Sequence, residues 1–363
     1  MKIDRITTRV VDLGGGFSWG DRQAMNIIGV WLRLETDDGV SGNAAAWTGP
    51  LPAAGTAQLI DELAQDVLLG ADPMERANLM SEFGPSLRVG LPIPVAGVVD
   101  CALWDLFARV VGQPIHRLLG TQRKQLRACA SAPAVSDVVA CEEMIADIRD
   151  QGFTAVKLHV HNDLEVDIAC ARAARYAAGP DMALMMDAMG LYSRQDALRM
   201  GQVLDELEYH WFEDPLAEDD LSGWIELRAA VSTPLAGVDS VRHSVKDYAT
   251  MIALGPFDIV RMDAARNGIS ELHALSKLAV ANGLQCEAHS FGPLLAQAAN
   301  IQVAMAGSSG SFFELPVPLG GLDLGASGGF SLDDDGNVAL PDGPGNGLAV
   351  DTAALSDMVV GAT

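Results

Sequence analysis

Residues 183–188 read Ala183-Leu184-Met185-Met186-Asp187-Ala188, and residues 210–215 read His210-Trp211-Phe212-Glu213-Asp214-Pro215. Each is a short apolar run closing on a carboxylate. Between them Arg194 to Glu208 carries the apolar spacing of a helix. The unit recurs: Asp187, Glu213, Asp239, Asp263, His289 and Glu314 follow one another at intervals of 26, 26, 24, 26 and 25 residues, each ending or closely following an apolar run. A strand, a helix and two short connections consume about that many residues, and a (β/α)8 barrel repeats the unit eight times. Such a barrel turns the carboxyl ends of all its strands to one face, so these six side chains are expected to share one pocket.

Working outward, eight strands are predicted: Leu126–Ser131, Ala155–Val160, Ala183–Ala188, His210–Pro215, Pro234–Ser240, Asp258–Ala264, Leu284–Ser290 and Ser311–Leu315. Helical spacing marks Val139–Gln151, Glu165–Ala177 and Glu271–Asn282 between them. Ahead of the barrel, residues 1–45 alternate as strands. Ile27 to Glu35 and Val40-Ser41-Gly42 form a predicted hairpin around Asp37-Asp38-Gly39. Gly14-Gly15-Gly16-Phe17-Ser18-Trp19-Gly20 reads as a loop, either a hairpin connection or a mobile lid. Helices follow over Ala57–Leu69, Pro73–Phe83 and Pro94–Val111, the last stopped by Gly112-Gln113-Pro114. The expected division is an α+β capping domain over residues 1–122, the barrel over 123–318, and a tail over 319–363. That tail is rich in Gly, Asp and Pro, too poor in apolar residues for a core of its own, and is expected to pack on the cap.

With 363 residues the chain is long enough for a barrel and a smaller partner. Its 49% apolar content supports a sizeable core, and its formal charge of −24 disfavours nucleic acid or an anionic membrane as partner. Five cysteines without a CxxC, no apolar leader and no long apolar run suggest a cytoplasmic protein that spans no membrane.

Asp187, Glu213 and Asp239 would end three consecutive strands. Three hard oxygen donors without Cys or His suit Mg²⁺, with water and substrate oxygens completing its coordination. Lys157 and His159 lie two apart on the second strand and so face the same way. A buried Lys157 needs an anionic partner, which a metal-bound substrate carboxylate would supply. His159 is placed to move a proton or, more blandly, to pack and hydrogen-bond; His161 is left without a role. Asp263 and His289 end neighbouring strands, the arrangement in which a carboxylate sets the tautomer and basicity of an imidazole. Glu314, on the last strand, would hydrogen-bond a substrate carboxylate if protonated, and otherwise cap the site.

Val99-Asp100-Cys101-Ala102-Leu103-Trp104-Asp105-Leu106, Gly112-Gln113-Pro114, Val156-Lys157-Leu158-His159, Met186-Asp187-Ala188, Trp211-Phe212-Glu213-Asp214-Pro215 and Thr233-Pro234-Leu235-Ala236 resemble the enolase superfamily. The resemblance runs through the tail to Leu340-Pro341-Asp342-Gly343-Pro344-Gly345-Asn346-Gly347, and the Asp263/His289 pair is similar to the mandelate racemase (muconate lactonizing enzyme-like) subgroup. It implies a modified (β/α)8 TIM barrel under an α+β cap completed by the tail. It also implies Mg²⁺ on Asp187, Glu213 and Asp239, and removal of a proton α to a carboxylate through an enediolate. Four positions depart from the family pattern. His159 stands where a second Lys is usual, Asp239 where Glu is commoner, and Met189 where Asn is common. Gly42-Asn43-Ala44-Ala45-Ala46-Trp47 replaces a Gly-x-Gly-Glu-like hairpin end.

The expected reaction is dehydration of an acid sugar by a lyase. Racemisation or epimerisation, and cycloisomerisation of a carboxylate substrate, remain alternatives, as does a non-catalytic barrel that binds metal or carboxylate. Specificity is expected from the cap near residues 14–25 and 43–53, including Trp19, Arg22, Trp47 and Pro50. The partner is a small carboxylate, acid sugar or hydroxy acid, and a homo-oligomer is expected with its size left open.

Overall fold

The computed structural model describes residues 1–17, 25–47, 52–239, 243–317, 322–341, 343–356 and 358–360. Strands β1 (Ile3–Phe17), β2 (Met25–Thr36) and β3 (Ser41–Trp47) form an antiparallel sheet in that order. The predicted hairpin is β2–β3, with Glu35 opposite Ser41 and Gly39 at φ +81° in the turn. The glycine run is not wholly a loop. β1 continues through Phe17 after a register shift, pairing Gly16 with Asn26 and Phe17 with Met25. Ser18, Trp19, Gly20, Arg22 and Pro50 lie outside the described residues.

Behind this sheet stand the helices Ala53–Leu68 and Ile93–Val111. The second begins with Pro94 in its first turn, where a missing N–H costs nothing, and stops at Gly112 in the left-handed region. Predicted Pro73–Phe83 is broken into a 3-10 turn, Pro73–Glu75, and a short helix, Arg76–Ser81.

All eight predicted barrel strands are present, most of them trimmed at their ends: β4 Gln125–Ser131, β5 Ala155–His159, β6 Ala183–Asp187, β7 Trp211–Glu213, β8 Leu235–Gly237, β9 Ile259–Met262, β10 Gln285–Ala288 and β11 Phe312–Pro316. They pair in parallel in the order β10-β9-β8-β7-β6-β5-β4-β11. Among the described residues no backbone ladder joins β10 to β11. Glu287 closes that seam with its side chain, accepting from the backbone N–H of Ser311 at 2.5 Å and of Phe312 at 3.3 Å. Inside the barrel Cys129, Ala155, Met185, Trp211, Ala236, Ile259 and Phe312 form a buried apolar cluster. Strand alternation then places Lys157, Glu213, Arg261 and Glu314, each two residues further on, directly above four of them.

The tail serves both parts. Leu324, Ala326, Leu348 and Leu355 share a buried cluster with Val11, Leu13, Ile27 and Trp31 of the cap, and Val11 bridges to Val359. Asn337–Ala339 instead pairs antiparallel with β4. Buried Asp105 ties three segments together, accepting from Asn43 N (2.8 Å), Asn346 N (2.7 Å) and Arg109 Nε (2.9 Å). Gly345, at φ +75°, passes so close that a Cβ would stand 2.1 Å from Asp105 Oδ1. The cap helix Ile93–Val111 also grips the barrel: Asp100 accepts from Ser270 N (2.8 Å) and Oγ (2.7 Å), and the Arg76 guanidinium lies 3.6 Å over Trp104. All five cysteines are free and buried. Among the described residues no helix is long and apolar enough to cross a membrane.

Candidate active site

A cavity of about 430 Å³ opens at the carboxyl ends of the strands, under the cap. Its lining includes His159, Asp187, Asp214, Asp239, Arg266, His289 and Glu314, with Trp47, Met189, Leu191 and Phe291 as an apolar wall. Trp47 and Phe291 meet edge to face at 5.4 Å.

Lys157 lies beneath the cavity, outside its lining and fully buried, with Nζ 2.9 Å from Glu314 Oε1, 3.2 Å from Glu213 Oε1 and 3.3 Å from Asp187 Oδ2. Burial alone would lower its pKa; Glu213, Glu314 and Asp187 outweigh burial and hold the ammonium charged. Glu314 is likewise held well below the usual carboxylate range against its burial, by Lys157 and Arg261. It is therefore ionised, and the expectation of a protonated Glu314 donating to a substrate gives way to an acceptor pinned between two cations. Glu213 meets the same two cations, yet burial, with Asp187 and Glu314 adding, pushes it up to about 7.

His159 donates from Nδ1 to the Ala132 carbonyl at 2.6 Å, leaving Nε2 toward the site, 3.5 Å from Asp187 Oδ2. Burial lowers its pKa, so the neutral ring is favoured. Asp187 is oriented by the Met189 N–H at 2.8 Å. Met189 itself sits at φ +52°, a left-handed conformation that Asn tolerates better than Met, which is the physical sense of the Asn expected there.

Asp263 caps the short helix Ala264–Asn267 through Ala265 N (2.8 Å) and accepts from Asn300 Nδ2 (2.7 Å). Arg266 and His289 help hold it down to a pKa of about 2, against its burial. His289 presents Nδ1 to Asp263 Oδ2 and Nε2 to Asp239 Oδ2, both at 3.2 Å. Sequence reasoning did not foresee Arg266. Its guanidinium bridges Asp263 (2.9 Å) and Asp239 (2.8 Å) and comes within 2.5 Å of His289 Nδ1, competing with Asp263 for that nitrogen.

Asp187 and Glu213 are register partners on adjacent strands, and Asp239 follows the end of the next. The donor set is all carboxylate oxygen, suited to a hard divalent ion. Asp214 Oδ1 is buried without a hydrogen-bond partner among the described residues, and its pKa is pushed far up by burial and then by Asp187, Glu213 and Asp239. Carboxylates that crowd one another this way fit a cation between them. The three predicted ligands are not gathered into a chelate, and no acidic, His or Cys cluster of that kind exists among the described residues. Asp239 is committed to Arg266 and His289 instead.

Sequence reasoning assigns Asp214 no role and does not single out Arg261. The signal for Arg261 was available: it lies two residues before Asp263, with the same parity as Lys157 and His159.

A family model for an enolase C-terminal domain-like fold matches residues 140–354, and one for the N-terminal domain of mandelate racemase/muconate lactonizing enzyme matches residues 20–120. The chain is 28% identical to D-galactarolactone cycloisomerase of Agrobacterium fabrum over 98% of both chains. It is 28% identical to L-talarate/galactarate dehydratase of Salmonella typhimurium, over 70% of this chain and 66% of that one. D-glucarate dehydratase from Agrobacterium tumefaciens, crystallised in complex with magnesium, superposes with a TM-score of 0.86 at 26% identity, covering 99% of each chain.

Proposed function

The chain belongs to the mandelate racemase/muconate lactonizing enzyme group of the enolase superfamily, and from that membership we propose that it dehydrates an acid sugar by first removing the proton α to its carboxylate. The observation that carries this reading is the placement of two histidines, His159 and His289, in one cavity, with the Lys157 ammonium buried just beneath it against Asp187 and Glu314 of its lining. Dehydratases of galactarate and glucarate among the relatives support the substrate class.

Asp187 and Glu213, joined by Asp239 on release of its contacts to Arg266 and His289, would hold Mg²⁺, the metal in the glucarate dehydratase relative. When bound, that ion stabilises the negative charge developing on the substrate carboxylate. Lys157 meets the same charge from beneath the cavity. His289, backed by Asp263, takes the α-proton; His159, on another wall, gives the departing β-hydroxyl a proton from Nε2 once that nitrogen has taken one up from solvent, and the hydroxyl leaves as water. The enol that remains tautomerises to the 2-keto-3-deoxy acid. Glu314 stays ionised and positions Lys157. In the same reading residues 1–122 with the tail 319–363 form the cap over a barrel of 123–318, and five buried thiols fit a reducing compartment.

A second reading, cycloisomerisation of a sugar lactone, is favoured by the full-length likeness to D-galactarolactone cycloisomerase. Incubation with Mg²⁺ and a library of acid sugars and lactones in D₂O separates the two. Keto-acid product supports dehydration, and ring rearrangement with deuterium at the α-carbon and no loss of water supports cycloisomerisation. His289→Asn is expected to abolish α-exchange, and His159→Asn to spare exchange while slowing water loss by about a hundredfold or more. Neither keto-acid, nor rearranged product, nor α-exchange by wild type on any member would sink both readings.

A further inference from the structure

Four charged side chains close a ring across the barrel beneath the cavity. Lys157 of β5, Glu213 of β7, Arg261 of β9 and Glu314 of β11 come from alternate strands, which is how a barrel builds one interior layer. Lys157 Nζ reaches Glu213 at 3.2 Å and Glu314 at 2.9 Å; Arg261 reaches the same two through Nε (2.7 Å) and Nη2 (2.5 Å). The charges alternate around the ring and formally cancel. The layer below, Ala155, Trp211, Ile259 and Phe312, is apolar, as barrel layers usually are.

Packing therefore does not demand charge at this level, and burying it costs solvation. The ring makes sense through Lys157. That ammonium faces three carboxylates, with Asp187 at 3.3 Å as the third. Were it the only cation, it would be shared among all three. The forked guanidinium of Arg261 gives Glu213 and Glu314 a partner of their own. We propose that Arg261 is a positioning residue: by neutralising Glu213 and Glu314 it leaves the Lys157 charge, just beneath the cavity, available to the carboxylate of an anionic ligand bound above it. This rests on the proposed function for the ligand's being a carboxylate.

The test is calorimetric binding of oxalate, a dicarboxylate with no α-proton, to the full-length protein in Mg²⁺, so turnover plays no part in the readout. Arg261→Met, checked for a native fold, is expected to bind oxalate at least about tenfold more weakly than wild type. Adding Glu314→Gln to it restores formal neutrality and is expected to recover most of that loss, which a packing defect would not allow. Unaltered affinity in folded Arg261→Met, or a double variant no better than the single one, overturns the proposal. Should Arg261→Met not fold, the double variant decides. Affinity within about threefold of wild type supports the ring, and a loss beyond about tenfold overturns it. Wild type that binds no oxalate overturns the proposed function together with the inference, whereas wild-type binding unchanged in Arg261→Met overturns the ring alone.

Discussion

Gly97 lies within the cap helix Ile93–Val111, where propensity by itself favours alanine over glycine by about 1 kcal/mol. The tertiary structure opposes that preference. A Cβ at Gly97 would stand 2.1 Å from the Arg266 carbonyl oxygen and 2.5 Å from its carbon, where ordinary contact begins at 3.4 Å. Both atoms are backbone, so no rotamer relieves the clash, and helix or turn must retreat by roughly 1 Å. Cys101, one turn further along, contacts the Ala264 carbonyl at 3.0 Å and would be pulled with it. Overpacking of this kind costs about 1–3 kcal/mol, which the propensity gain partly offsets, so Gly97→Ala is expected to fold with a modestly lowered melting temperature. Activity is expected to suffer more. The displaced turn carries Asp263 and Arg266, both in contact with His289, and a misplacement near 1 Å can cost about a hundredfold in rate. The assay is α-proton exchange in D₂O followed by NMR, with thermal unfolding measured beside it. Exchange within about threefold of wild type, in a folded variant, would refute the coupling between cap helix and His289.

Asp105→Ala removes the buried acceptor shared by Asn43 N, Asn346 N and Arg109 Nε, leaving two backbone N–H groups unmet beside a half-buried guanidinium that has lost its anion. Urea unfolding should show a loss of about 3–5 kcal/mol, with faster proteolysis of the tail; a loss near zero would mean the tail is held elsewhere. Burial pushes Glu287, at the barrel seam, up to a pKa of about 7 from the ordinary 4.5. Because the folded state holds this proton longer, its contribution is full below about pH 4.5 and falls by about 3 kcal/mol as pH rises to about 7. Glu287→Gln keeps an acceptor for Ser311 N and should flatten that segment of the stability–pH curve; a curve of unchanged slope counts against the assignment.

How much of this was legible in the sequence follows from the range of the forces involved. The eight strands are visible because alternation, helical spacing and turn chemistry are properties of a few consecutive residues, and the 24–26-residue rhythm of Asp187 to Glu314 follows from the length of one βα unit. Strand ends are equally local, so the expectation that His159, Asp187, His289 and Glu314 meet at one face needed only the barrel's closure. Arg261 carried a readable parity but no readable partner. Its meaning depends on Glu213 and Glu314, 48 and 53 residues away in sequence and within 2.7 Å in space. The same holds for Arg266 between Asp239 and Asp263, for Glu287 closing the seam, and for Gly97 against the Arg266 carbonyl. Local sequence determined which elements form and which side chains each strand sends inward. Tertiary structure decided which charges face one another, because Coulomb and contact energies depend on separation in space and not on separation along the chain.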